Sequence, residues 1–282
     1  MELQSFYLET KQALAKAPNA DPGLEAFFLL EGSCGIRRGD LLAGRGEVSP
    51  EQADRVRQLV RRRLDGEPLQ YLLGRWEFYG LPMEVGPGVL IPRPETELLV
   101  ERALEAIREA PSPLLLDLCS GSGCIPIALG KSRPDAKIWG VERSAEALAY
   151  FTRNIARNQT ANVAAVEGDV FHLPREITGR QYDVITANPP YIASGALSEL
   201  QEEVRWEPAE ALDGGADGLD FYRMLPGICL PLLKLGGLLL LEIGEDQGPP
   251  VKALLEAAGY RQAALAQDLS GLDRIVSGRR SM

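Results

Sequence analysis

The chain has 282 residues, 45% of them hydrophobic and 25% charged, with a formal net charge of -10. These proportions describe a soluble globular chain with room for one large and one small domain, and they exclude disordered, collagen-like and mucin-like classes. The acidic balance argues against a protein that works mainly by neutralising a phosphate backbone.

The first part reads as helices. "LQSFYLETKQALAKA" has helical periodicity, and "DPGLEAFFLL" offers Asp21 as N-cap with Pro22 at the first helical position. "SPEQADRVRQLVRRRLDG" supplies Ser49 as N-cap, Pro50 after it, Gln52 to complete a capping box and Gly66 as a stop. Its arginines, Arg55, Arg57, Arg61, Arg62 and Arg63, are expected mostly on a solvated face, with one or two free for a partner. "WEFYGLPMEVGPGVLIP" then alternates around Gly80 and the turn at Gly86 to Gly88, which predicts a hairpin joining two domains. The expected organisation is a helical domain over 1–74, a β-hairpin linker over 75–92 and a larger domain over 93–282.

"TELLVERALEAIREA" opens the larger domain as an amphipathic helix. From Pro113 onward the apolar runs "LLLDL", "AKIWGV", "NVAAVEG", "YDVITA", "GLLLLEI", "YRQAAL" and "DRIVSG" alternate with helical stretches. These stretches are "SAEALAYFTRNIARN", "GLDFYRMLPGICLPLLKL" and "PPVKALLEAAG". Seven strands alternating with helices predict an α/β fold, a mostly parallel sheet covered on both faces. Ligands in such sheets bind beyond the carboxyl ends of the strands.

The four cysteines form no C-x-x-C pair and have no neighbouring histidine, so no zinc site or disulfide framework is expected and the thiols are read as reduced, in a cytosolic (cytoplasmic) protein. "MELQSFYLETKQ" lacks the apolar segment of a secretory signal. Lys234, Gly236, Gly237 and Glu242 interrupt the most apolar run too often for it to cross a bilayer. His172 is the single histidine and is expected in a loop.

"LLLDLCSGSGCIPIAL" runs a buried strand into a glycine turn and a helix. Gly121 and Gly123 let backbone approach a ligand, and the helix start offers unpaired N–H groups. About twenty residues on, Glu142 ends the next strand, at the spacing of an acid that accepts from both hydroxyls of a ribose. Pro126 stands where the third glycine of G-x-G-x-x-G would fall, which counts against a nicotinamide cofactor. Asp117, the glycine turn, Glu142 and then "EGDVF" resemble, in that order, the Rossmann-like S-adenosylmethionine-dependent methyltransferases. The resemblance places Asp169 and Val170 beside the adenine.

"ITANPPYIA" ends the fourth strand with Asn188, Pro189, Pro190 and Tyr191. The Asn188 side-chain carbonyl and the Pro189 backbone carbonyl can each accept a hydrogen bond, and neither proline supplies a competing N–H. Such a segment suits a planar NH2 group, with Tyr191 available to stack on the plane that carries it. Amide and exocyclic nitrogens are poor nucleophiles because their lone pairs are delocalised. Two acceptors on the N–H groups would localise density and aim it.

With "PLQYLLGRWEFYGL", "VLIPRPETELLV", "DLCSGSGCI", "NPPYI", "EPAEALDGGADGLDFYR" and "DLSGLDRIV", the chain resembles the peptide-chain-release-factor glutamine N5-methyltransferases, the PrmC or HemK family. The resemblance runs over nearly the whole length. It implies a helical substrate-recognition domain and a Rossmann-like seven-stranded methyltransferase domain. It also implies S-adenosylmethionine as methyl donor and the glutamine of the Gly-Gly-Gln (GGQ) tip of class-I release factors as acceptor, with no stable nucleic-acid or membrane partner. Asp117, Cys119, Ser120, Gly121, Ser122, Gly123, Glu142, Asp169, Val170 and Asn188 then fall at cofactor positions. Asn188, Pro189, Pro190 and Tyr191 fall at the glutamine, with Asn188, Pro189 and Tyr191 carrying the catalysis. Glu142 stands where the family commonly has aspartate, and Val170 where some members have tryptophan; both bear on cofactor affinity more than on reaction type.

Two other readings compete. An N6-adenine or guanine-N2 nucleic-acid methyltransferase shares the Asn-Pro-Pro-Tyr pattern, but the acidic balance and the want of a basic targeting domain disfavour it. A noncatalytic adaptor is opposed by intact Gly121, Gly123, Glu142 and Asn188.

Overall fold

The computed structural model describes residues 1–17 and 20–281. The chain divides into two compact units: residues 1–75 with the excursion 201–206, and residues 76–200 with Glu207 onward.

The first unit is helical. Its elements are α1 (Leu3–Leu14), α2 (Pro22–Cys34), α3 (Arg38–Leu42), α4 (Pro50–Leu64) and α5 (Leu69–Leu73). Helix α2 starts where expected: the Asp21 carboxylate accepts from Gly23 N (3.1 Å) and Leu24 N (3.0 Å), and Gly35 ends the helix in the left-handed region. The capping box of α4 is formed, with Gln52 N donating to Ser49 Oγ (3.2 Å) and Ser49 N donating to Gln52 Oε1 (2.9 Å). Leu3, Phe6 and Leu14 of α1, Leu29 and Leu30 of α2, and Val56 and Val60 of α4 are buried. The two five-residue helices carry too short a period to read from sequence.

Arg63 departs from the expected solvated arginine face: it is 1% exposed. It falls on the buried stripe of α4 with Ala53, Val56 and Val60. Glu25 of α2 neutralises it by accepting from Nε (2.8 Å) and Nη2 (3.2 Å), and Glu203 of the excursion accepts from Nη2 at 2.7 Å. A buried guanidinium needs such partners because an uncompensated charge is costly in the interior.

The second unit opens with a two-stranded hairpin, β1 (Arg75–Phe78) and β2 (Leu81–Glu84). Next come α6 (Glu97–Ala106), β3 (Leu114–Leu118), α7 (Cys124–Ser132), β4 (Lys137–Glu142), α8 (Ala145–Asn158), β5 (Val163–Glu167), α9 (Arg175–Thr178) and β6 (Tyr182–Ala187). The unit closes with α10 (Asp220–Cys229), β7 (Leu233–Glu242), α11 (Gly248–Ala257), β8 (Arg261–Gln267) and β9 (Asp273–Arg279). The hairpin is fastened to α8. Asn154 accepts from Glu84 N (2.6 Å) and donates to Glu84 O (3.0 Å), and Asn158 donates to Pro82 O (3.0 Å).

All seven predicted strands join one sheet in the order β5-β4-β3-β6-β7-β9-β8, parallel except for β9. The central strands are mostly apolar because helices cover both faces, with Asp117 of β3 and Asp183 and Thr186 of β6 as the polar exceptions. One boundary differs from expectation. Helix α10 stops at Cys229, and "LPLLKL" continues as a 3₁₀ turn into β7. Pro231 has no N–H with which to extend the helix, and Leu233 already pairs with Tyr182. No helix among the described residues is long and apolar enough to cross a membrane. The four cysteines are free thiols.

Candidate active site

Strand order reverses at β3, with β4 on one side and β6 on the other, which makes the carboxyl ends of β3 and β6 the switch point of the sheet. Register does the positioning. Leu118 pairs with Val141 and with Ala187, and Ala187 pairs with Leu241. The next residues, Cys119, Glu142, Asn188 and Glu242, therefore stand level along one edge.

Cys119, Gly121, Glu142, Asp169, Val170, Asn188 and Pro190 line a single cleft at this edge. Phe171 and Phe221, with ring centroids 5.2 Å apart, contribute to its wall, as do Val89 and Leu90 ahead of α6. Sequence reading missed these four: Val89, Leu90 and Phe171 lie in loops that carry no periodic signal, and Phe221 stands in the first turn of α10.

The glycine loop is held tightly. Glu142 accepts from Gly121 N through Oε2 and from Ser144 N through Oε1, both at 2.7 Å. Cys119 adopts φ +59°, a left-handed conformation uncommon for a residue with a side chain and found preferentially at ligand sites. At Gly123 (φ +79°) an added Cβ would lie 1.9 Å from the Phe151 ring, so only glycine lets α7 start here. At Gly121 (φ +54°) an added Cβ would meet nothing within 4 Å.

Asp117, Ser120, Ser122 and Gly123 are not among the residues that line the cleft. Asp117 is 0% exposed and accepts from Ser120 Oγ and Thr186 Oγ1, both at 2.6 Å. Burial pushes its carboxyl up to about 7 despite these bonds. Ser122 O accepts from Asn154 Nδ2 at 3.0 Å, which links the loop to the residue that fastens the hairpin. Burial raises the Cys119 thiol well above its ordinary range, which keeps it neutral.

The Asn-Pro-Pro-Tyr segment has its own scaffold. Ile192 N donates to Leu212 O (2.9 Å), Gly214 N to Ile192 O (2.8 Å) and Ser194 N to Gly215 O (2.8 Å), so the "LDGGADG" stretch runs alongside it. A Cβ at Gly214 would lie 2.8 Å from Pro190 O, and one at Gly218 would lie 2.3 Å from Tyr191 O. Only glycine permits that approach. Gln247 Nε2 donates to Tyr191 O (3.0 Å) and to Gly218 O (3.2 Å). Pro189 and Pro190 are buried, whereas Asn188 and Tyr191 remain half-buried. Burial raises the Tyr191 hydroxyl above its ordinary value, so it stays protonated.

Three further polar residues brace this edge. Glu207 accepts from Ile91 N (2.9 Å) and pairs with Arg93. Thr96 Oγ1 accepts from Asn188 Nδ2 at 3.3 Å. Glu242, 2% exposed, has its carboxyl pushed up to about 7 by burial, opposed by the neighbouring Thr96 and Asn188 side chains and by the Arg274 charge. A charged residue ending an apolar strand level with Asn188 was the available signal for Glu242.

A seven-stranded sheet with one reversed strand near its edge, and a glycine loop bonded to the acid that ends the neighbouring strand, define the Rossmann-like methyltransferase class. Family models agree: the PrmC N-terminal domain matches residues 7–74 and the methyltransferase small domain matches residues 94–215. A methyltransferase structure from Pyrococcus furiosus shares the fold with a TM-score of 0.53, at 18% identity over 73% of this chain and 91% of that one. Two curated relatives, each named release factor glutamine methyltransferase, are similar over nearly full length. The one from Geobacter sulfurreducens is 42% identical over 96% of this chain and 94% of its own, and the one from Moorella thermoacetica is 42% identical over 97% of both. The chain belongs to the release factor glutamine methyltransferase family, and it is an S-adenosylmethionine-dependent methyltransferase.

Proposed function

We propose that this enzyme methylates the side-chain amide nitrogen, N5, of the glutamine in the Gly-Gly-Gln motif of class-I peptide chain release factors. The observation that carries this reading is the register of β3, β4 and β6, which sets the Glu142-bonded glycine loop beside an acceptor-rich Asn-Pro-Pro-Tyr segment. The name shared by the relatives supports the choice of protein substrate.

The residues present fit S-adenosylmethionine. Each Glu142 oxygen accepts one backbone N–H and keeps a second lone pair, enough for the two ribose hydroxyls. Gly121 leaves open the space that a side chain would occupy. Asp169 and Val170 we assign to the adenine side, Val170 offering an aliphatic surface buried to 6% exposure. When bound, S-adenosylmethionine supplies an electrophilic methyl carbon on a sulfonium.

The chain's own contribution is to hold and orient the acceptor. Asn188 Oδ1 and Pro189 O accept the two protons of the glutamine NH2, fixing its plane and localising density on a nitrogen otherwise delocalised into its carbonyl. Tyr191, kept neutral by burial, offers its ring to the amide plane. Once alkylated, the amide nitrogen is cationic and acidic enough to lose its proton to solvent, so no strong base is required. We assign recognition of the protein substrate to the helical unit.

The test is incubation with methyl-labelled S-adenosylmethionine and three substrates: a release factor, its Gln→Ala tip variant and DNA. Label on the release factor alone is expected. Label on DNA and none on the factor would favour a nucleic-acid enzyme, and none on any substrate a noncatalytic adaptor.

A further inference from the structure

We propose that the β8–β9 turn is a docking surface for the protein substrate. Leu269 and Leu272 at its tip enter an apolar recess on the release factor, and the acidic loop after β7 meets basic side chains around that recess. The proposal rests on the reading of a protein glutamine as methyl acceptor and names the surface that holds the protein carrying it.

The sheet places the turn. β7 ends at the cleft edge, and β9 runs antiparallel to it with Ile275 paired to Glu242. Residues 268–272 precede β9 and therefore project past the edge on which Asn188 lies. In the sheet order β9 is two strands from β6, about 10 Å at ordinary strand spacing. A standard protein interface takes about 800 Å² from each partner, a patch about 16 Å in radius. A substrate protein seated with its glutamine at Asn188 thus reaches the turn.

The turn is pinned while its apolar side chains are bare. Asp268 N donates to Leu272 O (2.9 Å) and Gly271 N to Asp268 O (3.0 Å). Asp268 Oδ1 accepts from Ser270 N (2.9 Å) and Leu272 N (3.1 Å), and Asp268 Oδ2 from Arg274 Nη2 (3.1 Å). Above this network Leu269 is fully exposed and Leu272 is 40% exposed. Isolated exposed leucines are ordinary on protein surfaces. This pair differs in standing on an ordered turn at the cleft edge, where little conformational freedom remains to be lost on binding.

Charge sets the partner. The loop between β7 and α11 lies beside the turn and reaches the cleft: Ile243 N donates to Arg274 O (3.0 Å), and Gln247 Nε2 to Tyr191 O (3.0 Å). Between these two anchors Glu245 and Asp246 are exposed, and neither forms an ion pair with a described residue. Uncompensated carboxylates beside an apolar tip suit a basic surface. They oppose a second copy of this chain, because a two-fold contact would set the same carboxylates against each other.

The test measures kcat, KM for the release factor and affinity for S-adenosylhomocysteine in Leu269→Ser, Leu269→Lys, the double variant Glu245→Gln/Asp246→Asn and Leu235→Ser. Leu235, 66% exposed near the start of β7, is the control because it lies at the opposite edge of the sheet. Leu269→Ser is expected to raise KM about fivefold or more, with kcat and S-adenosylhomocysteine affinity within about twofold of the parent. Leu269→Lys should raise KM further, since it sets a cation against a basic surface. The double variant should raise KM and flatten its dependence on salt. Leu235→Ser should match the parent. Leu269 variants with a KM no higher than that of Leu235→Ser, or with kcat and cofactor affinity falling alongside it, would overturn the docking surface. Sedimentation adds the other occupant: a parent dimer dissociated by Leu269→Ser, with KM unchanged, would give the tip to a second copy. A parent that methylates the factor while the Leu269 variants keep its KM removes the docking surface alone, and a parent that does not methylate it removes the proposed function as well.

Discussion

The Glu142 carboxylate accepts from Gly121 N at 2.7 Å, so the acid at the end of β4 and the glycine loop after β3 form one hydrogen-bonded unit. The carboxylate that we assign to the ribose is thereby fixed by the loop, which limits its rotamers before any ligand arrives. Glu142→Gln should weaken S-adenosylhomocysteine binding by about tenfold or more, since hydrogen bonds to a charged acceptor contribute about 1.5–3 kcal/mol. Titration calorimetry checks this, and an unchanged Kd would remove Glu142 from the cofactor site.

Asn188→Ala should behave differently. Removing the carboxamide that orients the acceptor should cost about 100-fold or more in kcat, the scale seen when one preorganised transition-state partner is deleted. Cofactor affinity should change by only a few-fold. Single-turnover kinetics with the cofactor saturating separate the two quantities, and equal losses in both would contradict the clamp.

Asp117 gives a pH dependence of stability. Its folded pKa is raised to about 7, so its contribution is fully present below the unfolded value and is lost as pH rises through about 7. Between about pH 4 and pH 7 the native state keeps a proton that the unfolded state has released, and stability falls by up to about 1.4 kcal/mol per pH unit for that group. Glu242, raised in the same direction, adds to the trend. Asp117→Asn should flatten the slope in urea denaturation across that window. A slope as steep as the parent's would show that Asp117 is not the group responsible.

The buried Arg63 predicts an asymmetry between two substitutions. Glu25→Ala strips Arg63 of its bidentate partner and should destabilise the helical unit by about 3 kcal/mol. Arg63→Met replaces the charge with an apolar chain of similar length and should cost much less. Denaturation followed by a probe in the first 75 residues tests the ordering. A larger cost for Arg63→Met would mean that the ion pair itself, rather than the cost of orphaning it, stabilises α4.

Much of this architecture was legible in the sequence because it rests on local rules. The caps at Asp21 and Ser49, the apolar strand runs and the glycine turn each announce themselves within a dozen residues, and all seven strands joined the sheet. The switch-point cleft was legible too, since alternation of strands and helices dictates which ends of the strands face a ligand. The rest depended on register or on pairs distant in sequence. Glu242 read as a mere interruption of an apolar run, because only the pairing of Ala187 with Leu241 sets it against Asn188. Arg63 read as a surface arginine, because its partners Glu25 and Glu203 are remote along the chain. The bond from Thr186 to Asp117, which ties the end of β6 to β3 beneath the glycine loop, joins residues 69 apart in the chain. Pro231 ended a helix that periodicity would have carried on to Leu235.

A crystal structure with S-adenosylhomocysteine and a peptide carrying the Gly-Gly-Gln motif measures the two contacts on which the chemistry depends. The glutamine side-chain nitrogen should lie within hydrogen-bonding distance of both Asn188 Oδ1 and Pro189 O. A nitrogen bonded to neither, with those oxygens turned toward other donors, would contradict the account.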